Sequence, residues 1–132
     1  MIYTTYLSNL KNLPNDDMTK KYLITRWKPR NTIDVKKYNL EWAPQLAPTE
    51  LTLAKRKDGS IDWREFRQRY INESFENPLF IDELEEIIEL NSKGYTIFLI
   101  CYEKDDSTCH RSILKEILQI NNYKCEEYRK EK

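Results

Sequence analysis

The stretch YTIFLICYE, residues 95–103, is a continuous apolar run of β-branched and aromatic residues. A strand that is apolar on both faces must be covered on both faces, which is the condition of a central strand in a parallel sheet. A short connection later, SILKEILQI (112–120) is amphipathic, with Ile113, Leu114, Ile117 and Leu118 on one stripe. It reads as a helix packed back onto that sheet. A buried strand feeding an amphipathic helix implies an α/β layered domain with a mostly parallel sheet flanked by helices.

The other segments supply neighbours for that strand. IYTTYL (2–7) reads as a first strand, followed by a loop or short helix through SNLKNLPNDD. KYLITRW (21–27) alternates, with Tyr22, Ile24 and Arg26 on one face and Leu23, Thr25 and Trp27 on the other. It reads as a second strand, closed by Pro29. Residues 32–59 show little periodicity and are broken by Pro44 and Pro48. They read as a long connection with a helical turn at 49–57 that Thr49 can cap. DWREFRQRYINESF (62–75) is a helix with Asp62 as its cap and Trp63, Phe66 and Tyr70 on one face, the pattern of a core stripe. NPLFIDELEEIIELNSKG (77–94) is another, opened by Asn77 and Pro78 and stopped by Gly94, with Leu84, Ile87 and Ile88 inward. YKCEEY (123–128) reads as a last strand.

At 132 residues the chain suits one compact domain over 1–132. Its 22 basic and 22 acidic residues cancel, so bulk charge argues against an extended nucleic-acid track or an anionic membrane as partner. The charge is unevenly spread: Met18 to Lys37 carries seven Lys/Arg against one acid, and Glu73 to Ser92 carries seven acids and no base. No apolar stretch approaches the ~18 residues of a membrane span. The start lacks a secretory signal pattern, and the three cysteines are an odd number with no CxxC pair. The expectation is a cytoplasmic protein with reduced thiols.

CYEKDDSTCHR (101–111) holds two of the three cysteines and the one histidine. A connection from a parallel strand to a helix lies at the carboxyl edge of the sheet, where ligands bind in open α/β folds. Ser107 or Thr108 would cap the helix, placing Cys109, His110 and Arg111 in its first turn. A thiol at a helix N-terminus beside Arg or His⁺ has more thiolate than a free one. Arg111 could grip a carboxylate or phosphate with its fork, and Glu103 is a candidate proton acceptor. Several readings stand open: an anion or nucleotide pocket, a thiol site in which Cys101 meets His110, a structural loop, or a zinc site. The last is the poorest fit, because the adjacent Cys109 and His110 make an awkward chelate, and no metal or cofactor is assigned.

LICYEKDDSTCHRSIL resembles the signature of the DUF488 family, an apolar strand, Cys, an acidic turn, then Cys-His-Arg opening a helix. TRWKPR (25–30) is similar to that family's Arg-x-x-Pro-Arg segment, WAPQLAPTELTL (42–53) to its Trp-x-Pro-x-Leu-Ala-Pro-Ser segment, and WREFRQRY (63–70) to the helix after it. The resemblance implies a Rossmann-like fold and leaves the reaction unassigned. It implies that Cys101, Glu103, Cys109, His110 and Arg111 converge with Arg26, Pro29 and Arg30. Where the family commonly has Gly after the Arg30 position, this chain has Asn31.

The sequence therefore leads to a pocket for an anionic, nucleotide- or nucleobase-like ligand, with a thiol-dependent enzyme acting on it as one outcome. Arg111, Arg26 and Arg30 would hold charge, and Trp27, Trp42 and Tyr102 could stack on a base. Cys101 or Cys109 would be the nucleophile, with Glu103 and His110 moving protons. The alternative is a non-enzymatic protein-interaction or redox-sensing module with a structural Cys/His loop.

Overall fold

The apolar run at 96–101 lies in the middle of a five-stranded sheet, where strands on both sides complete its backbone hydrogen bonds. The structure is a computed structural model and describes residues 1–28, 37–105 and 109–128. Its strands are β1 (Ile2–Tyr6), β2 (Thr19–Leu23), β3 (Leu40–Trp42), β4 (Thr96–Cys101) and β5 (Cys125–Glu127). They are ordered β3-β2-β4-β1-β5, and every pairing is parallel. The α/β layered fold with a parallel sheet is thus as the sequence implies.

Four helices follow the capping signals. α1 (Glu50–Lys57) opens where the Thr49 hydroxyl accepts the Thr52 N–H at 3.3 Å. α2 (Trp63–Phe75) opens where the Asp62 carboxylate accepts the Glu65 N–H at 2.8 Å. α3 (Pro78–Ser92) starts at Asn77 and Pro78, and Gly94 just after it takes a φ of 100° that a side chain would strain. α4 (His110–Ile120) is capped by Cys109, whose side chain makes no capping bond. The expected caps Ser107 and Thr108 lie outside the described residues, and the position itself belongs to Cys109.

β4 divides its side chains between two cores. Ile97, Leu99 and Cys101 face the helical layer, where they meet Tyr70, Phe80, Ile87 and Leu114. Phe98 and Ile100 face the other side, against Leu10, Leu13, Leu23 and Leu40. Tyr3 stacks on Phe98 at 5.4 Å, and Tyr128 meets both edge-on.

Two boundaries differ from the sequence reading. The second strand is 19–23 rather than 21–27: Thr19 and Lys20 already pair with Thr96 and Ile97, and past Ile24 the Thr25 hydroxyl turns the chain by donating to the Trp27 carbonyl at 2.8 Å. The segment read as a featureless connection contains β3, an edge strand of three residues. Only Leu40 of these is buried, so no alternation announces it.

Leu99 is fully buried, with Thr4 and Tyr22 as its register partners on either side. Leu99→Ala should lower the free energy of unfolding by about 2–5 kcal/mol, the cost of lost transfer plus a cavity. A urea titration that left the midpoint unchanged would contradict a core built on this strand.

Candidate functional site

β2 and β4 are neighbours, yet the chain leaves them in opposite directions. From β2 it runs to β3 at one edge of the sheet, and from β4 through α4 to β5 at the other. Divergence of this kind opens a crevice at the carboxyl ends of the two strands. A hollow of about 290 Å³ lies there. Its floor is Cys101 from the end of β4 with Cys109 and His110 from the start of α4; Leu53 and Phe66 form an apolar wall; Arg26, Trp27, Arg56, Tyr102 and Glu103 stand around it.

Cys101 Sγ, Cys109 Sγ and a ring nitrogen of His110 lie within 4.8 Å of one another. His110 Nε2 is 2.6 Å from the Ile24 carbonyl and 3.3 Å from Cys101 Sγ. A carbonyl only accepts, so Nε2 carries a proton and donates it to that carbonyl. Tyr70 packs edge-on against the ring at 5.7 Å and is itself held by donating to the Leu46 carbonyl at 2.5 Å.

The two thiols are placed to share one negative charge. A hydrogen bond from Cys101 holds the Cys109 thiol well below its ordinary pKa, aided by a hydrogen bond and charge from His110 and by the Arg111 backbone N–H, against the cost of burial. Burial pushes Cys101 the other way, and its neighbour's charge adds to that. Cys109 is therefore the thiolate and Cys101 the donor. Cys101, Cys109 and His110 are spaced so that a thiophilic metal could be held. The protonated Nε2, committed to a carbonyl, is poorly set to be one of its ligands.

Of the residues expected to converge, Cys101, Cys109, His110, Glu103, Arg26, Trp27 and Tyr102 line one hollow. Arg26 is partly spent, since its Nε and Nη2 donate to the carbonyls of Pro48 and Ala47 at 2.9 and 3.0 Å. Trp42 is outside the lining, and its indole N–H donates to the Thr25 carbonyl at 2.9 Å, beneath the rim. Arg30, with Pro29 and Asn31, lies outside the described residues.

Arg111 corrects the sequence reading. Its side chain is 0% exposed, so it cannot grip a ligand in the hollow. The guanidinium forks onto Glu127, Nε to Oε1 at 3.0 Å and Nη2 to Oε2 at 2.9 Å, and also donates to the Glu103 carbonyl and, at 3.0 Å, to that of Lys104. The reason is its place in α4: among Ile113, Leu114, Ile117 and Leu118, it looks inward toward β5. Arg56, which the sequence reading passed over, lines the hollow. It comes from the last turn of α1, where Lys55-Arg56-Lys57 reads as ordinary helix-end charge, and its guanidinium lies 5.8 Å from the Trp63 ring centre. Phe66 was read as core and also forms the wall.

A family model, DUF488-N3a, described as the active DUF488-N3 subclade, matches residues 5–122. No curated protein and no solved structure matches the chain.

Glu127→Ala would leave the buried Arg111 charge without its carboxylate. The expected loss is about 3–5 kcal/mol of stability, read as a lowered denaturation midpoint. An Arg111 that worked as a ligand grip would predict a stable variant instead.

Proposed function

The chain belongs to the DUF488 family, in the subclade described as active DUF488-N3, and from that premise we propose an enzyme acting on a small anionic, nucleobase-like ligand through the Cys109 thiolate. The observation that carries this reading is the sulfur–sulfur–imidazole cluster, within 4.8 Å, at the floor of an open hollow. Attack by Cys109 on an electrophilic ring carbon would form a sulfur–carbon bond as a C=N double bond of the ring gives its π pair to nitrogen, and that nitrogen would take a proton from the protonated form of His110. Cys101 is the positioning thiol that holds the anion in place. Glu103 is within the same lining to accept a proton or an amino group.

Size and lining narrow the ligand. A hollow of about 290 Å³ is at the lower end of small-molecule sites, which run from about 300 to 1,000 Å³. It suits a single ring system better than a dinucleotide. Trp27 and Tyr102, both half exposed, offer faces on which a planar ring can stack. Arg56, with the uncommitted end of Arg26, supplies the charge for an anionic substituent. The three free thiols suit a reducing compartment, which favours the cytoplasm. Among the described residues no helix is long and apolar enough to cross a membrane.

Thiolate, not thiol, is the form that alkylates, so a lowered pKa moves the onset of reaction to lower pH. Iodoacetamide should modify Cys109 at a rate already near its plateau at neutral pH. A free thiol rises through about 8.5. A Cys109 profile that follows the free thiol would remove the nucleophile from this scheme.

Nucleobases, nucleosides and nucleoside monophosphates, screened by thermal shift, should include a compound that stabilises the protein. Arg56→Ala should weaken that compound by on the order of tenfold, the worth of one charge-assisted hydrogen bond. If Cys109→Ser binds the compound equally and the wild type forms no adduct by intact mass, the site is a binding module rather than an enzyme. One equivalent of zinc in the purified protein would overturn the nucleophile assignment.

A further inference from the structure

Cys101 contributes a second thiol to the same floor, and a single nucleophile does not require one. Cys101 ends a central strand and Cys109 caps the facing helix, so each sits on a regular element rather than within a loose loop. Their sulfurs are within 4.8 Å, and a disulfide needs about 2.05 Å. Both are nearly covered by protein, at 1% and 4% exposure, yet both border the hollow, through which a molecule as small as a hydroperoxide can arrive. The third cysteine, Cys125, lies in β5 at the far edge of the sheet and is outside the hollow's lining.

We propose that Cys109 and Cys101 form a hydroperoxide-reactive pair, which closes to a reversible disulfide and silences the site. The inference rests on the reading of Cys109 as the reactive thiolate.

The steps balance as follows. Cys109 sulfur attacks one peroxide oxygen; the S–O bond forms, the O–O bond breaks, and the leaving oxide takes a proton to become water or an alcohol. Cys109 is then a sulfenic acid. Cys101 gives up its proton and attacks that sulfur; the S–S bond forms, the S–O bond breaks, and the hydroxide leaves as water. Two thiols have lost two electrons and two protons, and the peroxide has gained them. His110, whose other ring nitrogen Nδ1 lies 4.0 Å from Cys101 Sγ, is placed to carry the proton between steps. A thiol reductant of the glutathione or thioredoxin class reverses the closure.

The pairing also assigns separate duties. Without Cys101, a sulfenic acid on Cys109 has no partner in the hollow and climbs to the irreversible sulfinic acid. Cys101 would then protect the nucleophile as well as position it.

The test uses hydrogen peroxide on the reduced full chain, with maleimide labelling under denaturing conditions, intact mass and peptide mapping. The expected wild-type product is lighter by two hydrogens, retains a single alkylatable thiol at Cys125, carries a bridge between the peptides of Cys101 and Cys109, and returns to the starting mass with dithiothreitol. Cys101→Ser should instead accumulate oxygen on Cys109 that dithiothreitol does not remove, and Cys125→Ser should behave as the wild type. A wild type that gains oxygen with no bridged species overturns the inference, and needs no variant to fold. A parallel aliquot that sees no peroxide is alkylated at neutral pH: a Cys109 that alkylates readily there but never bridges under peroxide defeats this inference alone, whereas a Cys109 inert to both defeats it together with the nucleophile reading.

Discussion

The site depends on a buried ion pair that lies outside the lining of the hollow. Arg111 and Glu127 join the start of α4 to β5, and the Thr4 hydroxyl donates to the same carboxylate at 2.7 Å, which brings β1 into the junction. The remaining donors of Arg111 hold the carbonyls of Glu103 and Lys104. One guanidinium thus fixes how the chain leaves β4 and where the next helix begins. Cys101 and Cys109 are eight residues apart in sequence and share a floor because both ends of their connection are tied to that fork. A lysine could not do this, since one ammonium offers neither the planar fork nor the reach to two carbonyls behind it.

The same pair sets the electrical character of the floor. Burial penalises a lone thiolate, and two thiolates side by side would be penalised twice. The fully buried Arg111 cation, two residues beyond Cys109, the backbone N–H at the head of α4 and the imidazole all favour one negative charge there. The balance favours one negative charge on the pair, on Cys109, over two. Glu127 neutralises Arg111 without draining it, because the carboxylate lies on the β5 side while the sulfurs face the hollow. The buried pair thus combines structural specificity with local electrostatics, although its net contribution to stability is expected to be small.

How much of this was legible depended on whether the signal was local. The apolar run at 96–101, the Asp62, Thr49 and Asn77 caps, and the Ile113/Leu114/Ile117/Leu118 stripe act within a few residues, and they read correctly from the sequence. β3 was missed because a three-residue edge strand has no periodicity to detect and owes its existence to pairing with Lys21, Tyr22 and Leu23. The meeting of Cys101 with His110 followed from one strand–helix connection and was foreseeable. The placing of Arg111 was not: its motif marks it as functional, while its direction is set by Glu127, sixteen residues on and across the sheet. Arg56 failed in the opposite sense, since nothing in Lys55-Arg56-Lys57 distinguishes the residue that turns toward the hollow from its neighbours.

If the proposed ligand is held by Arg56 rather than by Arg111, the way it enters the hollow changes. A guanidinium beneath the floor would draw an anionic group toward the sulfurs and place it against the thiolate, where like charges repel. Arg56 stands instead in the lining contributed by α1, on the side of Leu53 and Phe66. On the proposed reading, an anionic substituent held there would leave the floor to an uncharged ring, which is the part a thiolate can attack without electrostatic opposition. A negative charge on the two sulfurs would then discriminate against ligands entering charged end first. A chain of zero net charge would need no broad basic surface for such a task, because two arginines in the lining and one anion at the floor would define the direction of entry.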